Sequence, residues 1–165
     1  MATIESTKNV EELTLTFVAE FSAPVARVWQ VWEDPRQLER WWGPPTWPAT
    51  FKQHDFAVDG RSSYYMTGPE GEKAWGWWRM TAIDRPNRLE FEDGFADENG
   101  DPDTTIPPAV AVVTLEAIDN GTRMTTVTQF VSEDQMNQML SMGMQEGMTL
   151  AMGQIEDVLL ENAGV

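Results

Sequence analysis

Six segments of strand character follow one another between Trp47 and Phe130, and one helical arc opens directly after them at Ser132. The segments are residues 50–56, 61–67, 73–84, 88–96, 109–118 and 122–130. Most joints between them are short and carry turn chemistry: Asp59-Gly60, Gly68-Pro69-Glu70-Gly71, Arg85-Pro86-Asn87 and Asp119-Asn120-Gly121. Joints this short connect antiparallel neighbours, because a parallel pair needs a crossover of a dozen or more residues. Only 96–108 is longer, an acidic loop that carries prolines. An α+β domain built on an antiparallel sheet is therefore expected.

What precedes and follows these strands completes the layout. Residues 11–21 alternate, with Leu13, Leu15, Phe17, Ala19 and Phe21 on one face, the period of a half-buried strand. Ser22 then caps a helix with Pro24 in its first turn and Val25, Val28, Trp29 and Trp32 at helical spacing. Asp34-Pro35 starts a second short helix with Leu38, Trp41 and Trp42, and Gly43-Pro44-Pro45 stops it. Two short helices, 24–33 and 35–42, thus lie between the first and second strands. At the other end, Ser132 to Gln135 is a capping box opening a helix that can run to about Asn162. Its apolar arc includes Met136, Met139, Leu140, Met144, Met148, Met152 and Ile155, with Gly143 and Gly147 among them. The pattern predicts a curved antiparallel sheet wrapped around one long C-terminal helix. No internal repeat is visible, so residues 1–165 read as a single domain with a core over about 11–162.

Charge and composition narrow the function. Against 27 Asp and Glu stand 11 Lys and Arg, a formal charge of -16. Such a surface repels phosphate backbones and anionic membranes, so nucleic acid and membrane roles are not expected, and the partner is apolar, neutral or cationic. One histidine and no cysteine exclude thiol nucleophiles, Fe–S clusters and zinc fingers. Residues 1–8 lack the basic start and apolar stretch of a targeting segment. The longest aliphatic run, 109–113, is too short to span a bilayer. A soluble, cytoplasmic protein is expected, with no metal or cofactor.

Several words of the sequence carry a resemblance. They are Ala23-Pro24-Val25-Ala26-Arg27-Val28-Trp29, Trp32-Glu33-Asp34-Pro35, Leu38-Glu39-Arg40-Trp41-Trp42-Gly43-Pro44, Gly68-Pro69-Glu70-Gly71, Pro86-Asn87-Arg88-Leu89-Glu90-Phe91, Gly121-Thr122-Arg123-Met124-Thr125 and Glu146-Gly147. Together they resemble the helix-grip superfamily of START domains, polyketide cyclases and plant allergens (SRPBCC). Within it they resemble the branch named after the activator of heat shock protein 90 ATPase. The resemblance implies a START-like fold with a pocket, and no particular reaction. Three positions depart from the family pattern: Asp59 where a glycine is usual, Ser62 where an aromatic is usual, and Met148 where a tryptophan is usual. The co-chaperone of that name carries a further N-terminal domain for which this chain has no room, so chaperone interaction is not supported.

Candidate chemistry is sparse. His54 stands beside Asp55 on a strand, yet strand neighbours point to opposite faces, so Asp55 cannot orient it, and a solvent-facing or merely satisfied histidine is the simpler reading. Asp97, Asn99, Asp101 and Asp103 imitate a calcium loop, but Pro102 and Pro108 stand where its glycine and bidentate glutamate belong. Trp77 and Trp78 cannot share a face; Trp75 and Trp77 can, and are taken as cavity candidates beside Tyr64 and Met66. The methionines of the last helix fit either a promiscuous apolar pocket or ordinary core. The cavity candidates are Trp42, Tyr64, Met66, Trp75, Trp77, Leu140, Met144, Met148 and Met152, with no catalytic residue. The expected function is binding of a small apolar or amphipathic molecule between sheet and helix. The alternatives are a cyclase or hydrolase type of enzyme using pocket polar groups, and a co-chaperone-like protein interaction.

Overall fold

The computed structural model describes residues 3–161. Its strands are β1 (Thr3–Asn9), β2 (Thr14–Phe21), β3 (Ala49–His54), β4 (Arg61–Thr67), β5 (Lys73–Asp84), β6 (Arg88–Phe95), β7 (Ala109–Ile118) and β8 (Gly121–Gln129). They form one antiparallel sheet in the order β1-β2-β8-β7-β6-β5-β4-β3. The helices are α1 (Val25–Glu33), α2 (Pro35–Trp41), α3 (Glu133–Ser141), α4 (Met144–Gly153) and α5 (Ile155–Glu161). This is the expected α+β helix-grip architecture, with three corrections.

First, β1 was not anticipated, so α1 and α2 lie between the second and third strands. Its segment, Thr-Ile-Glu-Ser-Thr-Lys-Asn, has no apolar alternation, and it is held as an edge strand by pairing with residues 14–20 of β2. Second, α1 begins without a hydroxyl cap: its N-cap is Pro24, with no side-chain hydrogen bond, whereas Asp34 caps α2 by accepting from the Arg36 N–H. Third, the C-terminal helix is three helices in succession. Gly143 sits at φ +85, a left-handed conformation that closes α3 and starts α4, and only glycine adopts it freely. Ser132 caps α3 as expected, accepting from the Gln135 N–H at 3.0 Å, while the Gln135 carbonyl oxygen of the side chain accepts from Val131 N–H at 2.7 Å. The expected end near Asn162 lies outside the described residues.

The alternation expected over residues 11–21 holds from Thr14 onward, where Leu15, Phe17, Ala19 and Phe21 are buried; Leu13 lies before the strand, in a turn at φ 58. Between the sheet and α1–α2 lies an aromatic core. The Trp32 ring meets Trp41 at 4.7 Å and Phe91 at 6.0 Å, and Trp78 stacks on Phe91 at 4.1 Å. The end of α2 is tied to the C-terminal helices by Gln154, whose side-chain amide donates to the Gly43 carbonyl at 2.7 Å. That tie fixes Trp42 at one end of the space under α3 and α4.

Candidate functional site

A cavity of about 430 Å³ lies between the concave face of the sheet and α3–α4. Phe17, Phe91, Phe95, Ala109 and Ala111 line it from the sheet, and Met139, Met144 and Met148 line it from the helices. Trp42, Pro44 and Trp47 line it from the segment after α2. The break at Gly143 belongs to this wall, and a Cβ at Gly147 would meet nothing within 4 Å. The helix glycines therefore face open space, as the spacing of Gly143 and Gly147 suggested.

Of the nine cavity candidates, Trp42, Tyr64, Met66, Trp75, Met144 and Met148 line this space. Trp77, Leu140 and Met152 do not. Register explains Trp77: it pairs with Gly94 and lies over it on the outer face, while its neighbour Trp78 turns inward and is fully buried. A Cβ at Gly94 would come within 2.6 Å of the Trp77 Nε1, and the Arg61 guanidinium covers the ring at 5.8 Å. The Trp75 ring likewise packs on Tyr65 at 4.8 Å, with Lys52 above it, so Trp75 borders the cavity while its indole serves the outer face. Met152 is completely buried core, and Leu140 packs half-buried against that core.

The residue that sequence reasoning missed is Asp93. On β6, Leu89, Phe91, Asp93 and Phe95 alternate, which places a carboxylate at an inward position among apolar neighbours. Tyr64, two strands away, donates its hydroxyl to Asp93 Oδ1 at 2.9 Å. The reach is possible because Gly76 pairs with Tyr64 on the intervening β5 and leaves that strand bare. A Cβ at Gly76 would overlap the Tyr64 ring. Burial pushes the Asp93 carboxyl up to about 7, against the smaller opposing pull of the Tyr64 hydroxyl and the Trp78 indole. Burial, with the Asp93 charge second, also raises the Tyr64 phenol well above its ordinary value. The indole N–H groups of Trp42 and Trp78 are buried and lack a hydrogen-bond partner of normal geometry.

Gly76→Ala should push the Tyr64 ring off Asp93 and cost roughly 1–3 kcal/mol. Denaturant melts give the cost. Carboxyl NMR titration should show Asp93 losing its tyrosine partner; an unchanged Asp93 titration would mean that the bare strand is irrelevant to the pair.

The remaining candidates are structural. His54 is satisfied on both nitrogens, by Ser62 Oγ at 2.7 Å and the Trp32 carbonyl at 2.9 Å, and burial holds its pKa below the usual value. Asp97 uses one carboxylate oxygen to accept from the Asn99 and Asp101 N–H groups, bracing its own loop. Among the described residues no group of three or more acidic or histidine side chains is gathered as a metal would require. No described helix is long and apolar enough to cross a membrane.

An antiparallel sheet closed by C-terminal helices over an apolar hollow defines a helix-grip, START-like protein. The chain belongs to the family described as Activator of Hsp90 ATPase homolog 1-like protein, whose model matches residues 22–160. It is similar to a protein from Arthrobacter aurescens solved by NMR, at 57% identity and TM-score 0.90, covering 96% of this chain and 92% of that one. It is also similar to protein Ms6760 from Mycobacterium smegmatis, at 46% identity and TM-score 0.88 over 96% and 97% of the two chains. Protein NE0264 from Nitrosomonas europaea follows at 26% identity and TM-score 0.82, over 93% and 98%. Comparison with curated proteins gave no match.

Proposed function

We propose that this protein binds one small, largely apolar molecule with a single polar group in the cavity between the sheet and α3–α4. The observation that carries the reading is a hollow of about 430 Å³ with mostly apolar walls and one carboxyl, Asp93, in its lining. A pocket of this size and lining suits a small molecule, whose polar group would be oriented by the few polar atoms present. A protein-interaction role has less support: the large apolar side chains left exposed, Val10, Val58, Val131, Met142, Leu150 and Leu160, come from separate segments.

Decanol is a suitable neutral probe. It should perturb tryptophan emission saturably through Trp42 and Trp47 and raise the melting temperature by mass action. Met148→Trp should place a larger ring in space already present. Stability should then hold or rise while decanol affinity falls at least about 10-fold; a solid core would instead lose roughly 1–3 kcal/mol to overpacking. Lost stability with unchanged decanol binding would put the pocket elsewhere.

A second reading, proton transfer to or from a bound carbonyl compound, is favoured by the Tyr64–Asp93 pair alone. A carboxyl that titrates near neutral pH is suited to act as acid or base. This reading requires turnover, seen as deuterium exchange next to the carbonyl of a bound ketone, lost in Asp93→Asn.

A further inference from the structure

We propose that the molecule this cavity selects is a cation, an amine on an apolar body, held by Asp93 with its nitrogen among the aromatic rings at that end. The inference rests on the cavity reading above and adds the charge of the occupant.

Asp93 is the one charged side chain among the described residues that line the cavity; no Lys, Arg or His joins it. An anionic head group would therefore find no counter-charge and would face a carboxylate. The Tyr64 hydroxyl is directed at Oδ1 and the Trp78 indole also favours the ionised form, and a carboxylate oxygen keeps lone pairs for a further donor. An ammonium group donates to such an oxygen at close range, and a charge-assisted bond is about twice as strong as a neutral one.

The surroundings favour a cation independently. Trp42, Tyr64 and Phe91 crowd around this end, with Trp42 edge-on to Tyr64 at 6.2 Å and to Phe91 at 6.4 Å. Aromatic faces attract cations through their quadrupole, most strongly where water is excluded. Met139, Met144 and Met148 add polarizable sulfur from the opposite wall. At longer range the formal charge of -16 draws cations and repels anions.

The groups facing Asp93 leave its titration simple. From β4 comes Tyr64, from β5 Trp78, from β7 Ala109, from the end of α2 Trp42, and from α3 and α4 only methionines and glycines. Tyr64 is thus the one other titratable group at the cavity among the described residues. An amine should accordingly bind the ionised carboxylate and lose affinity as the pH falls and Asp93 takes up its proton.

Three probes of one chain length test this by calorimetry at pH 8, below their micelle thresholds: decylamine, decanol and decanoate. Decylamine should bind at least about 10-fold more tightly than decanol, with decanoate weakest. From pH 8 to pH 6 decylamine should weaken several-fold while decanol stays constant. Asp93→Asn should abolish the preference of decylamine over decanol, and a cooperative thermal melt of the variant shows that it is folded. Equal binding of amine and alcohol, tight decanoate, or an amine preference that survives Asp93→Asn overturns the cation proposal while the cavity stands. If none of the three binds, the cavity reading itself fails.

Discussion

Asp93→Asn should make the protein more stable above neutral pH. In the native state Asp93 holds its proton up to about pH 7, against 3.8 for an ordinary aspartate. Between those values the folded chain binds more protons than the unfolded one, so stability falls as the pH rises and levels off above the native value. At 1.36 kcal/mol per pH unit the full interval corresponds to about 4 kcal/mol at pH 9. Asparagine accepts the Tyr64 hydroxyl equally well and carries no charge to desolvate. The advantage of the variant should therefore be small at pH 4 and grow to about 4 kcal/mol at pH 9, as read from urea melts at both values. An advantage independent of pH would mean that the carboxyl titrates normally.

The second large effect separates two neighbouring tryptophans. Trp78 is fully buried, stacked on Phe91 at 4.1 Å and edge-on to Trp42 at 4.8 Å, and Trp78→Ala should cost about 3–5 kcal/mol. Against a typical native stability of about 5–15 kcal/mol, that removes a large share. Trp77, half-buried on the outer face beneath Arg61, should cost only about 1–2 kcal/mol when changed to Ala. Similar losses from both substitutions would contradict the assigned facing of β5.

That facing was not legible in the sequence, for a physical reason. Alternation assigns sides only when one side is apolar, and β5 carries indoles at 75, 77 and 78, on both faces. The interior position at 76 is a glycine, which gives no hydrophobic signal although its bareness lets Tyr64 cross to Asp93. In β2 the alternation is clean and legible from Leu15 to Phe21, while Leu13, which continues the same pattern, lies in the preceding turn. The two short helices were also legible from Pro24, Asp34-Pro35 and the stop at residues 43–45. β1 was silent because an edge strand needs only backbone pairing. Gly143 was read as leaving room under the helix, and it lies against the cavity, but its left-handed conformation also breaks the helix. Asp93 could have been found: the alternation of Leu89, Phe91 and Phe95 already assigns position 93 to the interior. A charged residue on an otherwise apolar face is the signal that points to a site.

The claim that the hollow under α3 and α4 takes up a small apolar molecule is tested most directly by following backbone amides during a decanol titration of the isotopically labelled protein by NMR. Saturable, one-to-one shifts are expected at Gly94, Ala109, Ala111, Gly143 and Gly147, with Lys52 and Lys73 on the outer face unmoved. Absence of saturable shifts at those positions, or shifts confined to the outer face, would contradict it.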